Sequence, residues 1–249
     1  MGRVEIRYDA SLRERIVCKY SSDPIGEYQR LMSYDSCRII RPVGVRDDCV
    51  LFKEYVQRAA DGIAGYCSER EIWRFIRDVA EGLACIHRKG NAHLDIQPSN
   101  ILIGDDGYVI GDFDNEGDKT SYAFTPPEWQ QGKEKTGPAA DVWALGASVF
   151  YLLNGAYIFS GRGGAAQKKN TFVPRLSEKY SSELSDVVAR CLSYDPDDRP
   201  SAESLNTLAL RMIDGNRTYN DKVHKEAVPR RRADNDVLWP EIMKRRLEL

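Results

Sequence analysis

The residues His93-Leu94-Asp95-Ile96-Gln97-Pro98-Ser99-Asn100, followed after a short apolar run by Asp112-Phe113-Asp114, bring three groups suited to phosphoryl transfer into one block. Asp95 has the chemistry to accept the hydrogen bond, and then the proton, of a hydroxyl nucleophile. Asn100 and Asp112 offer hard oxygen atoms of the kind that hold a divalent cation bridging nucleotide phosphates. A lone aspartate in a turn often does no more than cap backbone amides. The joint spacing of Asp95, Asn100 and Asp112 favours chemistry over capping.

Defined elements must carry these groups. From Ser68 onward, Ile72, Phe75, Ile76, Val79, Leu83 and Ile86 recur at three- and four-residue steps, which predicts a long helix that Gly90-Asn91 stops just ahead of the block. Apolar runs over 101–103 and 108–113 bracket Asp105-Asp106-Gly107, a hairpin signal that places Asp112 at a strand end. Upstream, 4–8 and 15–20 read as strands, and Asp23-Pro24 as the cap and first-turn proline of a short helix carrying Glu27, Leu31 and Met32. A second strand pair is expected over 43–45 and 49–56, and helices downstream over 138–154, 181–194 and 201–213.

The block resembles the catalytic and metal-binding loops of eukaryotic-like (Hanks-type) protein kinases, whose patterns are His-Arg-Asp-x-x-x-x-Asn and Asp-Phe-Gly. Further matches follow in the family's order. Pro126-Pro127-Glu128 is similar to the Ala-Pro-Glu that ends the activation segment, and Asp141-Val142-Trp143-Ala144-Leu145-Gly146 to the Asp-x-Trp-x-x-Gly of the central helix. Asp195-Pro196-Asp197-Asp198-Arg199-Pro200 supplies the arginine that pairs with the glutamate, here Glu128. The resemblance implies an α+β, bilobal kinase-like fold, with a truncated β-rich N-lobe over 1–56, a mainly helical C-lobe over 57–214 and a basic, amphipathic tail over 215–249.

Composition sets the outer limits. The chain has 249 residues, enough to bury a full core, and its 42% hydrophobic and 30% charged content is that of an ordinary globular protein. With 36 Lys and Arg against 38 Asp and Glu, the net charge of −2 gives no general attraction to nucleic acid or to an anionic membrane. No apolar run is long enough to span a bilayer, no signal-peptide pattern is visible, and Ile6 stands where a myristoylation motif wants Ser or Thr. Six cysteines without paired spacing read as core residues of a reduced, cytoplasmic protein, whether in its own cell or delivered into a host cytosol.

The resemblance also assigns roles. Asp95 would be the catalytic base, with Gln97 beside it at the position of a phosphate-steadying lysine, and Asn100 and Asp112 the metal ligands for Mg2+, with Mn2+ as an alternative. ATP would be held by Lys19 in Ile16-Val17-Cys18-Lys19, ion-paired to Glu27, with Val4, Val17 and Leu102 against the base and Glu54-Tyr55-Val56 as the hinge. His93 would pack under Phe113 as a structural residue, while His87 and His224 receive no role. Lys53 would take a position beside the base pocket usually held by an apolar residue.

The departures matter as much. Gly2-Arg3-Val4 aligns with the end of the family's glycine-rich loop, so few covering amides are expected over the phosphates and nucleotide should be held weakly through metal and lysine. Leu94 replaces the arginine that would engage a phosphorylated activation segment, Asp114 replaces glycine, and Ser121 is placed near Asp95. The reading is a low-activity serine/threonine protein kinase, with a pseudokinase scaffold as the alternative. The partner is a protein substrate or binding protein, with docking through 215–249, and neither nucleic acid nor membrane.

Overall fold

Alternating apolar residues in the first twenty positions form a hairpin in the computed structural model, which describes residues 3–10, 13–55, 57–65, 67–113, 122–130 and 137–215. Strand β1 (Val4–Asp9) runs antiparallel to β2 (Glu14–Tyr20), with Val4 opposite Lys19 and Ile6 opposite Val17. Strands β3 (Pro42–Val45) and β4 (Cys49–Lys53) complete a four-stranded sheet in the order β1-β2-β4-β3. Its inner face sets Val50 and Phe52 into the main core with Leu31 of helix α1 (Pro24–Ser33). Its outer face carries Ile16, Cys18, Cys49 and Leu51 as a separate small cluster.

The strand expected over 49–56 stops at Lys53, and the chain crosses into a second sheet of order β5-β6-β7, formed by Gln57–Arg58, Ile101–Gly104 and Gly107–Ile110. The short helix α2 (Ala59–Gly62) and the long α3 (Glu69–Arg88) follow β5. The side chain of Ser68 accepts from the Glu71 amide to cap α3, and its apolar stripe is each at most 2% exposed. Gly90, at φ +75, reverses the chain into the block that carries Asp95, a left-handed conformation that glycine adopts without a Cβ penalty.

The remainder is helical: α4 (Pro127–Gln130), α5 (Pro138–Asn154), α6 (Ser182–Cys191) and α7 (Ala202–Gly215). Helix α5 is apolar on nearly every side and therefore central, with Trp143 and Leu145 almost fully buried. One continuous core runs from α1 and β4 through α3 and α5 to α7. This is an α+β architecture, a small antiparallel sheet with one helix followed by a mainly helical body. Among the described residues, no helix is long and apolar enough to cross a membrane.

A buried carboxylate ties the parts together. Asp78 on α3 has no exposure, and it meets Arg38 at 3.2 Å, Arg77 at 2.6 Å and the Tyr108 amide at 3.0 Å. Ile39 bridges to Ile110, so the segment after α1 is stitched to β7. The expectation that all cysteines are core residues fails for Cys37, which is exposed in the loop after α1, and for half-buried Cys67. All six are free thiols, and burial pushes Cys49 up to about 11 and Cys191 up to about 12.

Candidate active site

An aspartate on a mainly apolar helix must find polar partners, and Asp141 in the first turn of α5 finds them in the loop ahead of Asp95. Its carboxylate accepts from the backbone amides of His93 at 2.8 Å and Leu94 at 2.7 Å, and lies 2.8 Å from Nε2 of His87. His87, given no role from sequence, is thus a partner of the residue that shapes this loop. Leu94 sits at φ +65, a strained conformation for a branched side chain. Two amides fixed on one buried carboxylate hold it there.

The His93 ring is 1% exposed and meets Phe113 edge-on at 4.6 Å between centroids. Burial lowers its pKa, so the ring is neutral, and its two nitrogens divide their work. Nδ1 accepts from the Asp95 amide at 3.3 Å, which leaves Nε2–H to donate to the Gly111 carbonyl at 3.1 Å. One imidazole therefore joins the loop bearing Asp95 to the loop bearing Asp112.

Asp95 is braced by its own near neighbours. Gln97 Nε2 donates to Oδ1 at 2.8 Å, and Asn100 Nδ2 donates to Oδ2 at 2.7 Å and to the Asp95 carbonyl at 3.0 Å. Asn100 thereby spends its amide nitrogen on Asp95, so its carbonyl oxygen is the atom that would ligate a metal. Asp112 lies two residues past the end of β7, at φ +57, with its side chain 48% exposed. Its Oδ1 is 3.3 Å from Lys19 Nζ, which is also 3.0 Å from Glu27 Oε1.

Helix α1 places Glu27 because Asp23 caps it, accepting from the Gly26 amide at 2.9 Å, with Pro24 at its first position. Glu27 thus falls in the first turn, and its second oxygen is buried without a hydrogen-bond partner among the described residues. The donor chemistry fits Mg2+, which keeps most of its shell as water and phosphate oxygen and takes one or two ligands from protein. Asn100 Oδ1 and the half-exposed Asp112 carboxylate are the two groups that would hold it.

For the base, Val17 is half-buried on the inner face of β2, Val4 lies opposite Lys19 at 39% exposure, and Leu102 is half-buried on β6. Glu54 is ion-paired with Arg15 at 3.0 Å, and Val56 lies outside the described residues. The expected position of Lys53 is corrected: it pairs with Ile16, on the outer face of the sheet, and is exposed. Phe52, opposite Val17, shares the inner face of β4 with Val50, because a strand sends alternate residues to opposite faces.

The segment ending in Glu128 is anchored separately. Arg199 makes a two-pronged pair with Glu128 at 2.7 and 2.8 Å and donates to the carbonyls of Ser193, Ala139 and Tyr194. Asp114, Ser121, His224 and the tail over 216–249 lie outside the described residues.

With this geometry in place, comparison with known proteins assigns the class. The protein kinase domain model matches residues 12–209, and the chain belongs to that family. It is 33% identical over 161 residues to the serine/threonine-protein kinase ppk11 of Schizosaccharomyces pombe, covering 58% of this chain and 51% of that protein. It is 33% identical over 168 residues to mitogen-activated protein kinase kinase kinase 20 of Arabidopsis thaliana, covering 59% and 49%. The chain spans about half the length of these curated relatives.

Proposed function

We propose that this chain is a serine/threonine protein kinase that moves the γ-phosphoryl group of ATP to a protein hydroxyl. The observation that carries the reading is convergence: Lys19 touches both Glu27 and Asp112, while Asp95 is held by Gln97 and Asn100 on the next loop. A bound Mg2+ would neutralise phosphate charge during transfer. Lys19 would hold phosphate oxygens, steadied by Glu27. Asp95 would orient the acceptor hydroxyl and take its proton as the new oxygen–phosphorus bond forms and the bond to ADP breaks. Six free thiols favour a reducing compartment for this work.

Gln97 favours a second reading. A neutral amide stands where a cation would steady the moving phosphoryl group, so a kinase-like binding protein with little turnover is the alternative. Transfer of radiolabelled phosphate from ATP with Mg2+, by wild type and Asp95→Asn, separates the two. The kinase reading expects a loss of about 10²- to 10⁴-fold in the variant. Absence of transfer by wild type, or equal transfer by both, would select the binding protein.

A further inference from the structure

The two carbonyls that flank Asp112 are both occupied, by donors from two different elements. Gly111 O accepts from the buried His93 ring at 3.1 Å. Phe113 O accepts from Nη2 of Arg30, on α1, at 3.0 Å. Asp112 stands between them at φ +57, in the left-handed region that a residue bearing a Cβ adopts at a cost. A conformation of that kind persists only when its surroundings over-determine it, and these two donors do so.

The Arg30 contact is charge-assisted and spans 83 residues of sequence, and Arg30 lies three residues beyond Glu27 on the same helix. One short helix therefore supplies both the carboxylate that orients Lys19 and the cation that fixes the metal loop. Tyr34, its C-cap, adds a ring contact with Phe113 at 5.8 Å. Leu94 leaves the catalytic loop without a cation to engage a modified activation segment. The loop bearing Asp112 must then be ordered from elsewhere.

We propose that Arg30 is a positioning residue that couples α1 to the metal loop, holding the Phe113 carbonyl so that Asp112 faces Lys19 and the metal position. This rests on the kinase reading for its consequence, but the coupling itself is a property of the nucleotide-free protein. Arg30 is exposed, so replacing it leaves the core intact. Arg30→Met keeps the aliphatic stem and removes the donor, while Arg30→Lys keeps a donor.

The test is amide hydrogen exchange on the nucleotide-free chain, followed over peptides covering residues 108–113 and, as reference, 72–86. Exchange over 108–113 reports opening of the Gly111 amide from the Asn100 carbonyl and of the Ile110 amide from Arg38. The expected result is acceleration of about tenfold over 108–113 in Arg30→Met, recovery towards wild type in Arg30→Lys, and no change over 72–86. In the kinase assay the same variant should raise KM for Mg·ATP more than it lowers kcat, since binding of metal and nucleotide depends on where Asp112 stands. Unchanged exchange over 108–113, or equal acceleration over 72–86, overturns the coupling. A wild type that transfers no phosphate, with the exchange difference still present, overturns the kinase reading and leaves the coupling standing.

Discussion

The Glu128–Arg199 pair and the Lys19–Glu27 pair are both buried, yet they are built to opposite standards. In the first, two parallel bonds join fork to carboxylate, and every remaining direction of the guanidinium meets a carbonyl, from Ser193, Ala139 or Tyr194. In the second, Lys19 meets Glu27 at one oxygen, shares itself with the half-exposed Asp112, and leaves Glu27 Oε2 buried without a hydrogen-bond partner among the described residues. A closed pair stabilises a fold. An open one retains polar capacity that a ligand can fill, which is why unsatisfied buried groups cluster at functional sites.

The largest effect expected from this contrast is on stability at the closed pair. Arg199→Ala or Glu128→Ala strands the surviving charge in the core, and either should lose ~3–5 kcal/mol of unfolding free energy in urea titrations. Arg199→Ala should be the worse of the two, because three carbonyls lose their donor as well. Midpoints for both variants that coincide with wild type would remove the structural role given to the pair.

Replacing whole pairs sharpens the comparison. Exchange of a buried ion pair for apolar side chains of similar size is often neutral or stabilising when nothing else depends on the charges. Lys19→Met with Glu27→Leu should therefore keep stability within about 1 kcal/mol of wild type, while removing the binding of Mg·ATP by calorimetry. Glu128→Leu with Arg199→Met should still lose about 2 kcal/mol or more, since three part-buried carbonyls lose the donor that Arg199 gave them. In the wild type, the same titration should show ATP binding that depends strongly on divalent cation, because the carboxylates of Asp112 and Glu27 repel phosphate unless a cation and Lys19 offset their charge. Identical behaviour of the two double variants would erase the distinction between a closed and an open pair.

How much of this was legible beforehand follows from the reach of each interaction. The bracing of Asp95 is local, with Gln97 and Asn100 two and five residues away, so motif spacing alone carries it. The long helix and the hairpin ahead of Asp112 were likewise written in periodicity and turn residues. Asp141 and Arg30 act across 47 and 83 residues, and nothing in their neighbourhoods names the backbone groups they hold. The apolar run around Asp141 was the available signal, since a carboxylate there must be buried and paired. Lys53 went to the wrong face because the side a strand residue takes depends on its register with β2, and a shift of one residue inverts it.

The smallest expected effect lies at His93, which belongs to neither pair but joins the loops that use them. Its ordinary pKa is 6.5, and burial lowers that value in the folded protein. Between the lowered and ordinary values the unfolded chain binds a proton that the folded chain does not, so folding stability rises with pH across that window. The contribution is complete above about pH 6.5 and is lost as the pH falls below it, by at most about 1.4 kcal/mol per pH unit. Protonation would also remove the lone pair on Nδ1 that receives the Asp95 amide, so loop geometry should loosen over the same range. Urea unfolding of wild type and His93→Phe between about pH 7 and pH 5 isolates the effect, because phenylalanine keeps the contact with Phe113 and cannot titrate. The wild type should lose more stability on acidification than the variant does. Equal slopes in the two proteins would mean that the folded ring takes up its proton as readily as the unfolded chain does, so that burial does not hold it neutral. A wild type that gains stability on acidification relative to the variant would mean that the ring is charged in the fold and that the division of labour between its two nitrogens is wrong.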